Sequence, residues 1–211
     1  MTSKGETKQH AEELFEQFLK FDALGMRKEA KRAVSALIKE VSDNAAKDRW
    51  TKVNLSRMPR NRASRVRHEI FKEIVFPSLK AAFDRGEAEA SYLFGKYSQN
   101  LYSDRALFNQ LDQRTALELF REAFDSDPSS TRYQSAYLGA LLGLLRYSFH
   151  EWPTGILIDH DDWRKGLDGM RAQLSLARSL DRNSEYSGLF AQWFAYVDEY
   201  EARLSADNSS H

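Results

Sequence analysis

The strongest constraint on the fold is the helical spacing of apolar residues, which is clearest between Thr115 and Pro128. Small or apolar residues recur there with three- and four-residue spacing: Ala116, Leu119, Phe120, Ala123 and Phe124. Charged residues fill the positions between them, so the pattern is that of an amphipathic helix. Pro128 has no amide hydrogen with which to continue the helix. The stretch therefore predicts one well-bounded helix with a single apolar face.

The same spacing recurs through most of the chain, and residues that break helices are scarce. Four prolines and ten glycines among 211 residues favour long helices over a many-stranded β fold. A chain of this length suits one domain. We therefore predict an all-α fold, an irregular stack of antiparallel helix hairpins with about seven to nine helices. A single helical domain is expected over residues 8–205, with disordered termini at 1–7 and 206–211.

Two connections interrupt the helical pattern. Residues 45–63 are predicted to be irregular, with at most a short helical turn around Trp50, because the residue before Pro59 avoids the helical region. Residues 150–162 form the second irregular element. At Pro77 two alternatives remain open: a kink in one long helix, or a new helix with proline in its first turn.

Composition excludes several classes of protein. The chain has no cysteine, which excludes disulfides, thiolate chemistry and cysteine-based zinc sites. Its first ten residues contain no apolar core of a signal peptide. The longest apolar run, 136–145, is about half of the ~20 residues that span a bilayer. We expect a cytoplasmic protein without membrane contact.

Charge is balanced overall but unevenly placed. The chain has 31 basic and 31 acidic residues. Residues 47–72 hold nine basic and two acidic residues, whereas the stretch from Asp181 to the end holds six acidic and two basic ones. The chain is therefore electrically polarised, which bears on the kind of partner that it can bind.

Ala116, Phe120, Ala123 and Pro128 are spaced by four, three and five positions. This spacing resembles the second helix of a tetratricopeptide repeat, in which a small residue allows close helix packing and a later proline ends the unit. Members of that family bind proteins or peptides and are seldom catalysts. The resemblance therefore implies a non-catalytic protein-interaction module, for example an adaptor or a bacterial immunity-type protein.

Partial copies of the same frame make the resemblance irregular. They begin at Ala30 and Met170, and Leu138-Gly139 resembles the Leu-Gly pair of the family's first helix. The intervals between Ala30, Ala116 and Met170 are not multiples of the family's period of about 34 residues. The spacing thus indicates an irregular stack, and an unrelated helical bundle with a chance match remains the alternative.

Partner contacts are predicted from the irregular loop and from the basic connection. The candidate residues are Trp152, Asp159, Asp161 and Asp162 in the loop and Arg60, Arg62 and Arg65 in the connection. Aromatic residues around the loop tryptophan have two interpretations. They either plug the loop onto the core or form a partner-binding edge, since aromatic side chains are enriched in binding hot spots.

Sequence signatures of catalysis and metal binding are mostly missing. The chain contains no dinucleotide-binding, P-loop, nucleophile-elbow, zincin or EF-hand signature. The run Asp159-His160-Asp161-Asp162 carries ligand atoms that suit a divalent cation. Consecutive residues seldom converge on one ion, so we expect Asp161 or Asp162 to cap the following helix instead. Neither a metal nor another cofactor is expected.

One catalytic alternative comes from the basic segment 57–72. Arg62 and His68, with five residues between them, resemble the R-x4–6-H motif of HEPN-type ribonucleases, which are all-helical. The resemblance implies that Arg62 and His68 would stabilise and protonate an RNA phosphate and its leaving group. Ala63 stands where that family usually has a polar residue. RNA binding or cleavage is therefore the alternative, and a solvated basic helix face is the simpler interpretation.

Overall fold

The structure is a computed structural model that describes residues 4–57, 67–158 and 162–208. Within these residues the chain forms helices and turns and no β-strand, so the predicted all-α class is confirmed. The described part contains more helical segments than the predicted number. Contacts divide the chain into two compact units, Met1–Ala123 and Phe124–His211. The single domain over 8–205 and the stack of antiparallel hairpins stay predictions.

The helices of the first unit are numbered in chain order. They are α1 (Lys4–Ala23), α2 (Arg27–Glu40), α3 (Asn44–Asn54), α4 (His68–Ile70), α5 (Phe76–Phe83), α6 (Ala88–Lys96), α7 (Ser98–Tyr102) and α8 (Arg105–Asn109). A 3₁₀ turn, Leu55–Arg57, follows α3, and a π-helical segment, Phe71–Val75, joins α4 to α5. Helix α9 (Ala116–Ser126) begins in this unit, and the second unit contains α10 (Thr131–Ser148), α11 (Trp163–Leu180) and α12 (Ser187–Asn208). Helices α1 and α12 extend into the terminal segments that the sequence predicts to be disordered.

Helices α1 and α2 pack against each other across a short glycine turn. Gly25 has φ of +69°, a conformation that glycine adopts without strain. The amides of Gly25 and Met26 donate to the carbonyls of Asp22 and Phe21, at 3.1 and 2.9 Å, which is the double hydrogen bond of a Schellman cap. The turn therefore fixes where α1 ends and where the apolar stripe of α2 meets that of α1.

The prediction of an irregular segment after residue 44 is wrong for α3. Asp43 accepts a hydrogen bond from the Ala46 amide at 2.7 Å and caps the helix. Trp50 is 5% exposed and meets Phe15 edge-on with ring centroids 5.1 Å apart. Capping and burial of one large ring thus stabilise a regular helix in a polar sequence. The end of the predicted irregular connection, residues 58–63, lies outside the described residues.

Pro77 lies in the first turn of α5, and α5 continues directly from the π segment, so this proline belongs to one helical run that starts at α4. The Phe76 amide donates to the Phe71 carbonyl five residues earlier, which is the wider π register. Proline has no amide hydrogen, and its ring crowds the preceding turn. The π segment therefore lets the chain pass from α4 to α5 without an interruption in the helix.

The stretch that dominates the sequence pattern forms α9 and is confirmed as a helix. Thr115 and Glu118 cap it reciprocally: the Thr115 amide donates to the Glu118 carboxylate at 2.7 Å, and the Glu118 amide donates to the Thr115 hydroxyl at 3.3 Å. The hydrogen bond from the Thr115 amide, together with one from the Thr115 hydroxyl at 2.8 Å, lowers the pKa of the Glu118 carboxylate. The Phe120 ring lies on Gly95 of α6, where an added Cβ would be 2.8 Å from the ring. This face of α9 therefore packs on α6.

The second unit is built from three long helices. Ser130 accepts a hydrogen bond from the Tyr133 amide at 3.4 Å and caps α10. The Gln134 side-chain amide donates to the Leu180 carbonyl at 2.5 Å and so joins the start of α10 to the end of α11. The core of this unit contains Tyr137, Leu141, Leu145, Leu167, Leu174, Phe190 and Val197. None of the helices in the described ranges is long and apolar enough to cross a membrane.

Candidate functional site

Helix α2 has one face in the core and one face in solvent. Ala30, Ala33, Val34 and Leu37 are buried in the core of the first unit. Their spacing of three and four residues fixes the rotation of the helix about its axis. The residues between them must therefore point outward, and most of them are basic.

We define the basic face of α2 as Arg27, Lys28, Lys31, Arg32 and Lys39. All five side chains are exposed, and none forms an ion pair or a hydrogen bond with another residue of the described part of the chain.

 Within Arg27–Glu40, five residues are basic and two, Glu29 and Glu40, are acidic. The face therefore carries a net positive charge that attracts anions.

The basic face borders a shallow depression. Its described lining consists of Lys28, Lys31, Arg32, Ser35, Ala36 and Lys39. Long basic side chains lay their aliphatic stems along a surface and keep the charged group in water. The floor of the depression is therefore mostly aliphatic and its rim is cationic. At about 1.5 Å per residue, the face extends about 16 Å from Lys28 to Lys39.

Two apolar side chains are exposed immediately before this face. Leu24 is 63% exposed and Met26 is 40% exposed, in the turn that joins α1 to α2. Single exposed apolar residues are common on protein surfaces. Here, however, they flank Gly25 and lie within one helical turn of Lys28, so an apolar end adjoins the basic face.

The basic segment 47–72 differs because its described cations are largely paired with carboxylates. Arg57 donates from Nη1 to Glu12 at 2.8 Å and to the Asn54 side-chain oxygen at 2.7 Å, and it also pairs with Glu16. Its guanidinium carbon lies 5.6 Å from the centroid of the Phe15 ring. These contacts raise the pKa of Arg57, chiefly through the hydrogen bond to Glu12. Arg57 thus joins the end of α3 to α1.

His68 and Lys72 both contact Asp104. The Lys72 Nζ lies 2.8 Å from Asp104 Oδ2, and the His68 Nε2 lies 3.4 Å from the same oxygen. Asp104 also caps α8 by accepting hydrogen bonds from the amides of Ala106 and Leu107, at 3.0 and 3.3 Å. The hydrogen bond from Lys72 lowers the pKa of Asp104, and the same bond raises the pKa of Lys72. The cluster thus holds α4, the π segment and α8 together.

The predicted ribonuclease pair is only half described. His68 has one ring nitrogen near Asp104, and its Nδ1 is buried without a hydrogen-bond partner among the described residues. Arg62 lies outside the described residues, as do Arg60 and Arg65. The arrangement of His68 is therefore that of a packing residue at the start of α4, and its catalytic role stays a prediction.

Trp152 of the predicted partner-binding loop packs on α12. Its ring stacks on Tyr196 with centroids 4.4 Å apart, and the Arg203 guanidinium carbon lies 4.6 Å from its ring centroid. Arg203 also donates to the Pro153 carbonyl at 2.8 Å. These contacts support the interpretation in which the aromatic residue fixes the loop. A role of Trp152 in partner binding stays a prediction.

The acidic residues of the same loop divide between described and undescribed positions. Asp162 accepts a hydrogen bond from the Arg164 amide at 3.0 Å and caps α11, as predicted. Asp159 and Asp161 lie outside the described residues. Within the described part of the chain, no group of three or more acidic or histidine side chains has the arrangement of a metal site.

The basic face of α2 is not among the predicted sites, although the sequence contains a signal for it. The basic positions 28, 31, 32 and 39 alternate with the apolar positions 30, 33, 34 and 37, so a helical projection separates them onto opposite faces. The predicted basic site lies instead in the segment 47–72, where basic residues are more closely spaced along the sequence. Density along the sequence does not reveal which cations have a carboxylate partner in the fold.

No protein-family model matches the chain, and no match to a curated protein or to a solved structure was found. The candidate surface is thus defined by its own residues.

Proposed function

We propose that the protein is a non-catalytic interaction module whose first unit binds an acidic partner protein through the basic face of α2. One observation carries the proposal: five exposed cations lie along one helix and none pairs with a carboxylate of the described residues. Cations that already face carboxylates offer little to a partner, whereas unneutralised ones steer and hold an anionic surface.

The charged clusters elsewhere support a non-catalytic role. Arg57 with Glu12, Lys72 with Asp104, and the Arg171 guanidinium with Asp198 and Glu201 each connect two helical elements. These groups are engaged in holding the fold together. An adaptor or immunity-type role is the biological form of this proposal, and the tetratricopeptide-like spacing around α9 is in keeping with it.

Nucleic-acid binding is the competing proposal, since phosphates also seek exposed cations. The lining of the depression contains no aromatic side chain on which an unpaired base could stack. In the segment 57–72, the described cations Arg57, Arg67 and Lys72 face carboxylates. A protein partner therefore accounts better for the described surface.

Charge reversal tests the proposal. The variant Lys28→Glu/Arg32→Glu/Lys39→Glu reverses the basic face. A matched control, Arg105→Glu/Arg121→Glu/Lys165→Glu, makes the same change of net charge at exposed positions on other helices. Each protein is immobilised and exposed to a nuclease-treated lysate of the native host.

We expect the wild type and the control to retain the same discrete proteins, and the reversed face to lose them. Those proteins should be released by moderate salt, because exposed charge pairs are screened at high ionic strength. Retention of the same proteins by the reversed variant would contradict the proposal. Loss of all binding after nuclease treatment would favour the nucleic-acid alternative.

A further inference from the structure

Resting on the function proposed above, we infer that the basic face of α2 receives an acidic amphipathic helix that carries large aliphatic residues at one end. Carboxylates of the partner would meet the cationic rim, and its aliphatic residues would cover Leu24 and Met26. The ligand of this surface is a helical acidic segment of another protein.

Charge and length define the polar part of this occupant. The face presents five cations over about three helical turns, a distance of about 18 Å from Arg27 to Lys39. A helix that lies along α2 and carries Glu or Asp at three- and four-residue spacing presents carboxylates at matching intervals. A segment of about 12–14 residues is therefore long enough to cover the face.

The exposed apolar residues just before α2 define the aliphatic part of this occupant. Leu24 and Met26 are the exposed large apolar residues next to the basic face, and both precede its first turn. Methionine and arginine are enriched in protein interfaces, and the flexible methionine side chain adapts to different apolar partners. An acidic helix with one or two leucines at the matching end would bury both side chains without disturbing the charged rim.

A lipid surface fits these observations less well. Membrane-binding amphipathic helices insert an apolar face into the interface. The apolar face of α2, with Ala30, Val34 and Leu37, is already buried in the core of the first unit. The two exposed apolar side chains at one end of the helix offer little apolar area for insertion into a bilayer. They offer enough area to contact the aliphatic residues of a peptide.

Synthetic peptides test the inference on the full-length protein. The probe is a 14-residue helical peptide, about 21 Å long, with glutamates along one face, two leucines at one end and a fluorescent label. A second peptide replaces the leucines with serine, and a third replaces the glutamates with glutamine. Fluorescence anisotropy reports binding at several salt concentrations.

We expect the leucine peptide to bind with strong salt dependence, and the glutamine peptide not to bind. The serine peptide should bind about tenfold more weakly, as expected for the loss of buried aliphatic area. The variant Leu24→Ser/Met26→Ser should lose the same factor for the leucine peptide and nothing for the serine peptide. The control Leu157→Ser/Leu176→Ser, which changes exposed apolar residues of the second unit, should change neither.

The outcomes separate the inference from the proposed function. Equal binding of the leucine and serine peptides would overturn the apolar end and leave an acidic protein partner in place. Failure of both glutamate peptides, together with binding of a short RNA duplex or of vesicles rich in anionic phospholipid, would overturn both. Tenfold discrimination that persists in the Leu24→Ser/Met26→Ser variant would place the aliphatic contact elsewhere and contradict the inference.

Discussion

The basic face of α2 and the basic segment 47–72 contain the same kinds of residue and use them differently. On α2 the five cations are exposed and pair with no carboxylate of the described chain. In the segment, Lys52, Arg57, Arg67 and Lys72 each face at least one carboxylate. A positive charge is therefore available to a partner only where the fold leaves it without an acidic neighbour. Changes in the segment should therefore alter stability, and changes on α2 should alter binding.

The largest expected effect is on stability, within the segment. Trp50→Ala should lower the free energy of unfolding by about 3–5 kcal/mol, because it leaves a cavity beside Phe15. Urea titration followed by circular dichroism measures the loss. Trp50→Phe is the matched control, since it keeps an aromatic ring in the site. A change below about 0.5 kcal/mol for Trp50→Ala would show that the segment does not hold the first unit together.

Arg57→Ala should have the next largest effect. It removes hydrogen bonds to Glu12 and Asn54, and the Asn54 side chain is fully buried. We expect a loss of about 1–2 kcal/mol, moderated by the partial exposure of the arginine. Lys52→Ala, which breaks an exposed pair with Asp48 at 2.9 Å, is the control and should change the free energy of unfolding by less than about 0.5 kcal/mol. Equal changes in the free energy of unfolding for the two substitutions would mean that the contacts of Arg57 stabilise the fold no more than an exposed ion pair does.

Asp104→Asn should change how stability depends on pH. The pKa of Asp104 is lowered in the folded protein, so its charged form contributes stability at pH values above the unfolded pKa of about 3.9. That contribution is lost as the pH falls through the lower folded pKa. Asparagine keeps the capping oxygen and removes the charge, so the variant should be less stable by about 0.5–1 kcal/mol at pH 7 and equal to the wild type near pH 2. Urea titrations at several pH values measure this, and a difference that does not shrink in acid would contradict the assignment.

The smallest effect is expected on the basic face itself, with the opposite sign. Lys28 and Arg32 are four residues apart on one helix, and like charges at this spacing repel. Lys28→Glu converts the repulsion into an attraction and places an acid in the first turn of α2, where the helix dipole favours it. We expect a gain of about 0.3–0.5 kcal/mol in the free energy of unfolding. A clear loss would show that Lys28 has a stabilising role that the surface does not reveal.

Much of the fold is readable from local sequence. The spans of α2, α9, α10 and α11 follow the apolar spacing, and Asp162 caps α11 as predicted. Helix α3 is not readable in this way, because its stability depends on burial of Trp50 against α1.

The candidate site could be predicted only in part. The two faces of α2 follow from helical spacing, so the basic face could have been predicted from the sequence. The pairing of Arg57 and Lys72 could not, because the acids that face these two cations come from elsewhere in the chain: Glu12 and Glu16 from α1, and Asp104 from the residue before α8. Such pairings form only when distant helices pack, and no local pattern encodes them.

A charge swap tests directly whether the basic face of α2 binds acidic protein. The binding of the glutamate-leucine peptide and of its lysine counterpart is measured for the wild type and for Lys28→Glu/Arg32→Glu/Lys39→Glu. We expect the wild type to bind only the glutamate peptide and the reversed variant to bind only the lysine peptide, each preference being at least about 100-fold. Unchanged preference for the glutamate peptide in the reversed variant would show that the acidic partner binds elsewhere and would contradict the account.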